Sequence, residues 1–230
     1  MATSGTYAFS PSGADLIVNA FAKCGVRRTA LLQEHMQDAR MEANLMLADW
    51  DNTGPNLWTV DLQEIDLVEG QATYDVPPET IMVLDAYIRT GDVPNEIDRI
   101  VWPISRSEYA GFPNKDQQGY PTVFWYDRLV DPTITMWQVP DGNGPYTLRY
   151  YRVRQVQDVN LVGTQTVEVP IRWLDAFAWG LAARLAVMYA PDRAPALDQR
   201  AQVAWNRAAS QDTENVPLSI GPDVGGYYVR

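Results

Sequence analysis

His35 is the one histidine of this chain and Cys24 its one cysteine. Nucleophilic catalysis of the Ser–His or Cys–His kind needs an imidazole beside the nucleophile, so any such site here rests on His35 alone. The spacing puts His35 at the edge of the apolar face of a helix, where a half-buried, hydrogen-bonded ring is expected. Cys24 falls on the apolar stripe of the preceding helix and reads as a small core residue. One Cys and one His do not build a structural zinc site. The sequence contains no G-x-S-x-G elbow, no G-x-G-x-x-G and no phosphate-binding G-x-x-x-x-G-K-[ST] loop. Asp141-Gly142-Asn143 resembles the start of a calcium loop, but Pro145 and Tyr146 stand where the next ligand and glycine belong. A hairpin turn is the expectation there. Among the carboxylates, Asp61, Glu64 and Asp66 share one strand region, with Glu64 and Asp66 on one face. A glycosidase needs two such groups brought together from separate elements, and nothing marks a pair. The expectation is therefore a chain that is no enzyme, with no catalytic residue, no cofactor and no metal.

Aromatic side chains carry more information. Trp102, Trp125, Tyr126, Trp137, Tyr150 and Tyr151 are spread over the middle of the chain. Neighbours such as Trp125-Tyr126 and Tyr150-Tyr151 must point to opposite faces of a sheet. One member of each pair then lies on an outer face unless another layer covers it, and exposed aromatics mark protein–protein interfaces. The chain ends in Gly225-Gly226-Tyr227-Tyr228-Val229-Arg230. This segment reads either as a disordered end or as an extended peptide whose Tyr227, Tyr228, Val229 and Arg230 dock on a partner.

The elements that must position these groups follow from periodicity. Residues 12–24 read as a helix with Ser12 as N-cap and Gly25 as its stop. A second helix is predicted from Thr29 or Ala30 to Trp50, with Leu32, Met36, Ala39, Ala43, Met46, Leu47 and Trp50 on its apolar side. Beyond Trp58 the period falls to about two. Strands are expected at 60–68, 71–76, 80–90, 97–104, 121–127, 132–139, 146–155 and 164–169, and a helical turn at 105–111. The first two read as a hairpin through Glu69-Gly70, and Asp141 to Gly144 as the turn between 132–139 and 146–155. Pro170 opens another helix with Leu174, Phe177, Ala178, Leu181, Leu185 and Met188 on its apolar face, and a last one covers 195–211. The pattern predicts an α+β fold. Residues 1–57 and 170–214 form a helical bundle, 58–169 an inserted antiparallel β-sandwich or barrel, and 215–230 an extended tail.

The sequence has 230 residues, 46% of them hydrophobic, and a net charge of −11. The middle block, 58–169, holds 17 acidic and eight basic side chains. This acidity is either a solvated face or the lining of something that must not retain a polyanion, and it argues against general DNA binding. No stretch of 18 apolar residues appears, so no membrane span is expected. The lone Cys fits a reducing compartment, and the N-terminus lacks the pattern of a signal peptide.

The stretch from Ile104 to Asp158 resembles the head-to-tail adaptor proteins of tailed phages, also called tail accessory or tail tubular proteins. The features are Ile-Ser-Arg-x-Glu-Tyr at 104–109, Pro113-Asn114-Lys115, Gly119-x-Pro121, Tyr126-Asp127-Arg128, Pro132-Thr133-x-x-x-Trp137 and Tyr146-Thr147-Leu148-Arg149-Tyr150-Tyr151. Lys23-Cys24-Gly25, Ala43 to Leu47 and Asn56-Leu57-Trp58 extend the likeness, which covers about residues 12–190. It implies a structural virion protein of the neck, assembled in the host cytoplasm. It further implies a ring, typically of twelve copies, between the portal and a downstream tail or nozzle protein. Genome DNA would pass through the lumen without specific binding, and no catalytic residue carries over. Another neck ring, such as a stopper or head completion protein, is the nearest alternative. A carbohydrate-binding tail module is the alternative of a different class, and it requires a row of exposed Trp.

Overall fold

The computed structural model describes residues 5–53, 57–91, 93–161 and 165–213. Helix α1 is Gly13–Cys24. The Ser12 hydroxyl accepts the Asp15 amide at 3.2 Å and the Asp15 carboxylate accepts the Ser12 amide at 3.3 Å, a reciprocal capping box. Gly25 ends the helix at φ 89°, a left-handed conformation that favours glycine. Helix α2, Gln33–Thr53, begins later than its pattern predicts, because Arg28–Ala30 form a separate 3-10 turn. Pro170 is followed by another such turn, Ile171–Trp173, before α4, Leu174–Tyr189; α5 is Ala194–Ala209. The short α3, Arg106–Gly111, carries its own capping box between Ser105 and Glu108.

Helices α1, α2, α4 and α5 share one apolar core built on Ile17, Phe21, Ala43, Met46, Phe177, Leu181 and Leu185. Trp173 is buried at its centre, with ring centroids 5.3 Å from Trp50, 5.2 Å from Trp58 and 6.1 Å from Trp205. Single residues from α2, the turn into the sheet and α5 thus lock onto the residue that starts α4.

The strands are β1 Val60–Leu67, β2 Thr73–Asp75, β3 Thr80–Thr90, β4 Ile97–Pro103, β5 Gln118–Gly119, β6 Val123–Asp127, β7 Thr133–Trp137, β8 Val139–Pro140 and β9 Tyr146–Arg154. Seven form a curled sheet in the order β1-β9-β3-β4-β6-β7-β2. Its core holds Ile88, Phe124, Ile134, Met136, Leu148 and Tyr150. The fold is α+β, as the periodicity predicts.

Four expectations are corrected. The pairing is not wholly antiparallel: β4–β6 and the small β5–β8 ladder are parallel. Residues 60–68 and 71–76 make no hairpin, since β1 pairs with β9 over eight residues and β2 pairs with β7. The connection instead wraps the Tyr74 hydroxyl, which accepts the Val68 amide at 2.9 Å and donates to the Gln71 carbonyl at 2.8 Å. Asp141 to Gly144 is not a hairpin turn either. It lies on a crossover between β7 and β9, strands that are not neighbours. Residues 165–169 form only an isolated bridge, Thr166 to Ser12, because Val167 and Val169 turn into the helical core.

Candidate interaction surfaces

The reactive side chains that the sequence singles out are engaged internally. The His35 ring accepts the Leu32 amide at 3.2 Å, stacks 4.9 Å from Tyr189 and meets Phe21 edge-on at 5.8 Å. It is a half-buried cap on the first turn of α2. The Cys24 thiol donates to the Ala182 carbonyl at 3.2 Å, and burial raises its pKa, which keeps it unreactive. Asp141 accepts the Asn143 amide at 3.0 Å and the Tyr146 hydroxyl at 2.8 Å, so its carboxylate closes a loop. Among the described residues no group of three His, Cys, Asp or Glu could hold a metal ion.

The acids of β1 lie opposite partners on β9. Arg149 pairs with Glu64 at 2.6 Å and Thr147 donates to Asp66 at 2.9 Å, both on the outer face of the sheet. On the inner face, Arg152 is nearly buried and reaches Asp61 at 2.7 Å, Glu79 at 3.1 Å and the Thr80 hydroxyl at 2.8 Å. Burial opposes ionisation of Asp61, but the hydrogen bond and charge of Arg152, with help from Arg154, outweigh it and hold the carboxyl below its ordinary range. Arg154 pairs in turn with Glu168, whose pKa that contact lowers. Arg154 thereby joins the sheet to the segment that leads back into the helices, while Arg152 ties β9 to β1 and to the start of β3. The acids are part of the scaffold, and β1 is an edge strand protected by charge. Glu69, Asp75, Asp85, Asp116, Asp131 and Asp158 make no ion pair or side-chain hydrogen bond among the described residues.

The aromatic pairs divide as the pleat requires. Tyr150 is buried while Tyr151 is 41% exposed. Trp125 and Trp137 are covered by a further layer, because Tyr109 of α3 stacks on Trp125 at 5.5 Å and Phe112 on Trp137 at 4.0 Å. The motif residues of residues 104–137 converge here. Ser105 and Glu108 cap α3, Lys115 donates to the Ala110 and Phe112 carbonyls, and the Trp137 indole donates to the Asn114 carbonyl at 3.0 Å. What reads as a family signature is the device that staples α3 to the sheet.

Several apolar side chains remain exposed. Ile100 and Trp102 stand on the outer face of β4, Trp102 being 64% exposed. Leu129 and Val130 form the tip between β6 and β7. On the helical side, α2 and α5 both flank α4 and leave a trough of about 710 Å³, floored by Gly180, Ala183 and Val187 and walled by Trp50 and Trp205. The sequence reading missed this trough, since its walls come from three helices. It also missed Met41 and Leu45, which interrupt the polar side of α2 and gave a signal in the sequence. Tyr227, Tyr228, Val229 and Arg230 lie outside the described residues.

The reactive groups singled out are internally engaged, the sheet edge is protected by charge, and apolar side chains stand exposed. The chain belongs to the SU10 adaptor protein family, whose model matches residues 13–220. It is thus a phage adaptor and a component of the virion. No curated protein matches it significantly. No described helix is long and apolar enough to cross a membrane.

Proposed function

We propose that this chain is the subunit of a head-to-tail adaptor ring, which joins the portal to the downstream tail or nozzle protein and surrounds the path of the genome. The observation that carries the reading is the family match over residues 13–220. The arrangement proposed is a helical bundle of 1–57 and 170–214, an inserted β-sandwich or barrel at 58–169, and a tail at 215–230. Twelve copies are the proposed ring number, and assembly takes place in the host cytoplasm before incorporation into the neck. The ring has no catalytic role. Its acidic middle block repels DNA phosphates, so the genome slides through without adsorbing.

The tail is proposed to dock on the portal through Tyr227, Tyr228, Val229 and Arg230. Deleting residues 215–230 is expected to leave the far-ultraviolet circular dichroism and melting temperature unchanged and to weaken portal capture at least tenfold; equal capture disposes of the docking role. Imaging of intact virions tests the main reading. A ring of this chain in contact with the portal is expected, whereas a ring separated from the portal identifies a stopper instead. The carbohydrate-binding alternative has no support from the tryptophans, because Trp102 is the one exposed indole among the described residues.

A further inference from the structure

No described residue fills the trough between α2, α4 and α5. Helix α2 packs on α4, α4 packs on α5, and residues of both α2 and α5 line the trough. The floor is low because Gly180 has no Cβ, and one placed there would lie 2.7 Å from the Met46 sulfur. On the side of α2 turned away from the core, Met41 and Leu45 are 58% and 51% exposed, and exposed Ala48 follows them. These three stand at i, i+4 and i+7, which is the spacing of a helix that lays an apolar ridge into a groove. The ridge and the groove occupy different faces of the same molecule. They cannot meet within one chain, but they can meet between copies.

Charge agrees with that pairing. Asp198 is exposed on the groove wall and accepts a hydrogen bond from the Gln202 side-chain amide at 2.9 Å, with no ion pair among the described residues. Arg40 flanks the ridge, is exposed, and makes no ion pair among the described residues. An arginine stem is long enough to lie along the ridge and deliver its guanidinium to the rim.

We infer that the occupant of the groove is the α2 ridge of a second copy, with Met41, Leu45 and Ala48 seated over Gly180 and Ala183 and with Arg40 facing Asp198. The contact joins unlike surfaces, so it repeats head to tail and closes a ring where the rotation permits. The inference rests on the ring reading and specifies how neighbouring subunits touch.

The test uses the full chain, alone over a concentration series and mixed with portal rings, read by sedimentation velocity and negative-stain imaging. Leu45→Lys, Arg40→Asp and Asp198→Arg all lie on exposed positions, so folding, checked by melting temperature, is preserved. Each is expected to raise the concentration for half-assembly at least tenfold, and the Arg40→Asp/Asp198→Arg double variant to recover most of that loss. If all variants assemble like the parent, the groove contact is wrong while the adaptor reading stands. If the parent itself never multimerises, even on portal rings, both fail. If deleting residues 214–230 exposes the groove to a labelled α2 peptide that the full chain excludes, the occupant is the chain's own tail and the inference is overturned.

Discussion

Arg152 sets the strength of the joint between β9, β1 and the start of β3. It is nearly buried, and its partners Asp61 and Glu79 are 34% and 45% exposed. Arg152→Ala leaves Glu79 without its cation and Asp61 with only Arg154, 3.6 Å away. Because both carboxylates keep part of their hydration, the expected cost is about 2 kcal/mol, less than for a fully buried pair. It is read as a lowered urea midpoint at unchanged slope. Protonation acts on the same arginine contacts. Contact with Arg154 lowers the Glu168 pKa, and Arg152 holds that of Asp61 down. Groups with depressed folded values stabilise fully above the unfolded carboxylate pKa, about 4, and lose that contribution as pH falls through the folded values. Wild type should melt above Glu168→Gln at pH 6, and the gap should close below about pH 3 in a series of thermal melts. At this scale His35 and Cys24 were legible, since helical periodicity places both on or beside a buried stripe. Arg152 was not, because its partners lie 91 and 73 positions away along the chain.

Helix ends and loops depend on a few backbone bonds. The Asn44 side chain of α2 accepts the Val159 amide at 2.7 Å and donates to the Val159 carbonyl at 3.3 Å, which clamps the segment after β9 against the helices. Asn44→Ala leaves both groups unpaired, at an expected cost of about 1–3 kcal/mol. Hydrogen exchange should then accelerate over residues 156–161 while the amides of β9 keep their protection. Gly25→Ala forces a side chain into a left-handed position, where its Cβ would lie 2.5 Å from the Arg193 guanidinium. The expected loss is about 1 kcal/mol or more, visible as a lower melting temperature, with Gly25→Asn losing less. Element existence was readable from local signals: Ser12 and Gly25 mark the ends of α1, and Pro170 precedes the 3-10 turn that leads into α4. Strand partners were not. The turn residues after β1 and after β8 suggested local hairpins, yet eight residues of β9 offered β1 a longer ladder, crossed by ion pairs, than the short β2 could.

The whole molecule carries −11 charges, but much of the acidity of the β block is spent in internal contacts of Arg89, Arg149, Arg152 and Arg154. The acids left to face a lumen or solvent include Asp75, Asp85 and Asp131. On the proposed ring reading, lysine substituted at each in turn should slow DNA ejection from assembled virions at any position that faces the genome path. Unchanged ejection kinetics at all three would assign the charge to solubility. The order helices–strands–helices, the apolar stripes of the helices and the motifs around α3 were determined by the sequence, since each depends on residues within about a dozen positions of one another. The parallel β4–β6 junction, the trough between α2, α4 and α5 and the cover of α3 over Trp125 and Trp137 were decided by tertiary structure. Each joins distant segments whose meeting is set by burial of a common core, and no local period in the chain records which distant surface will supply the other half.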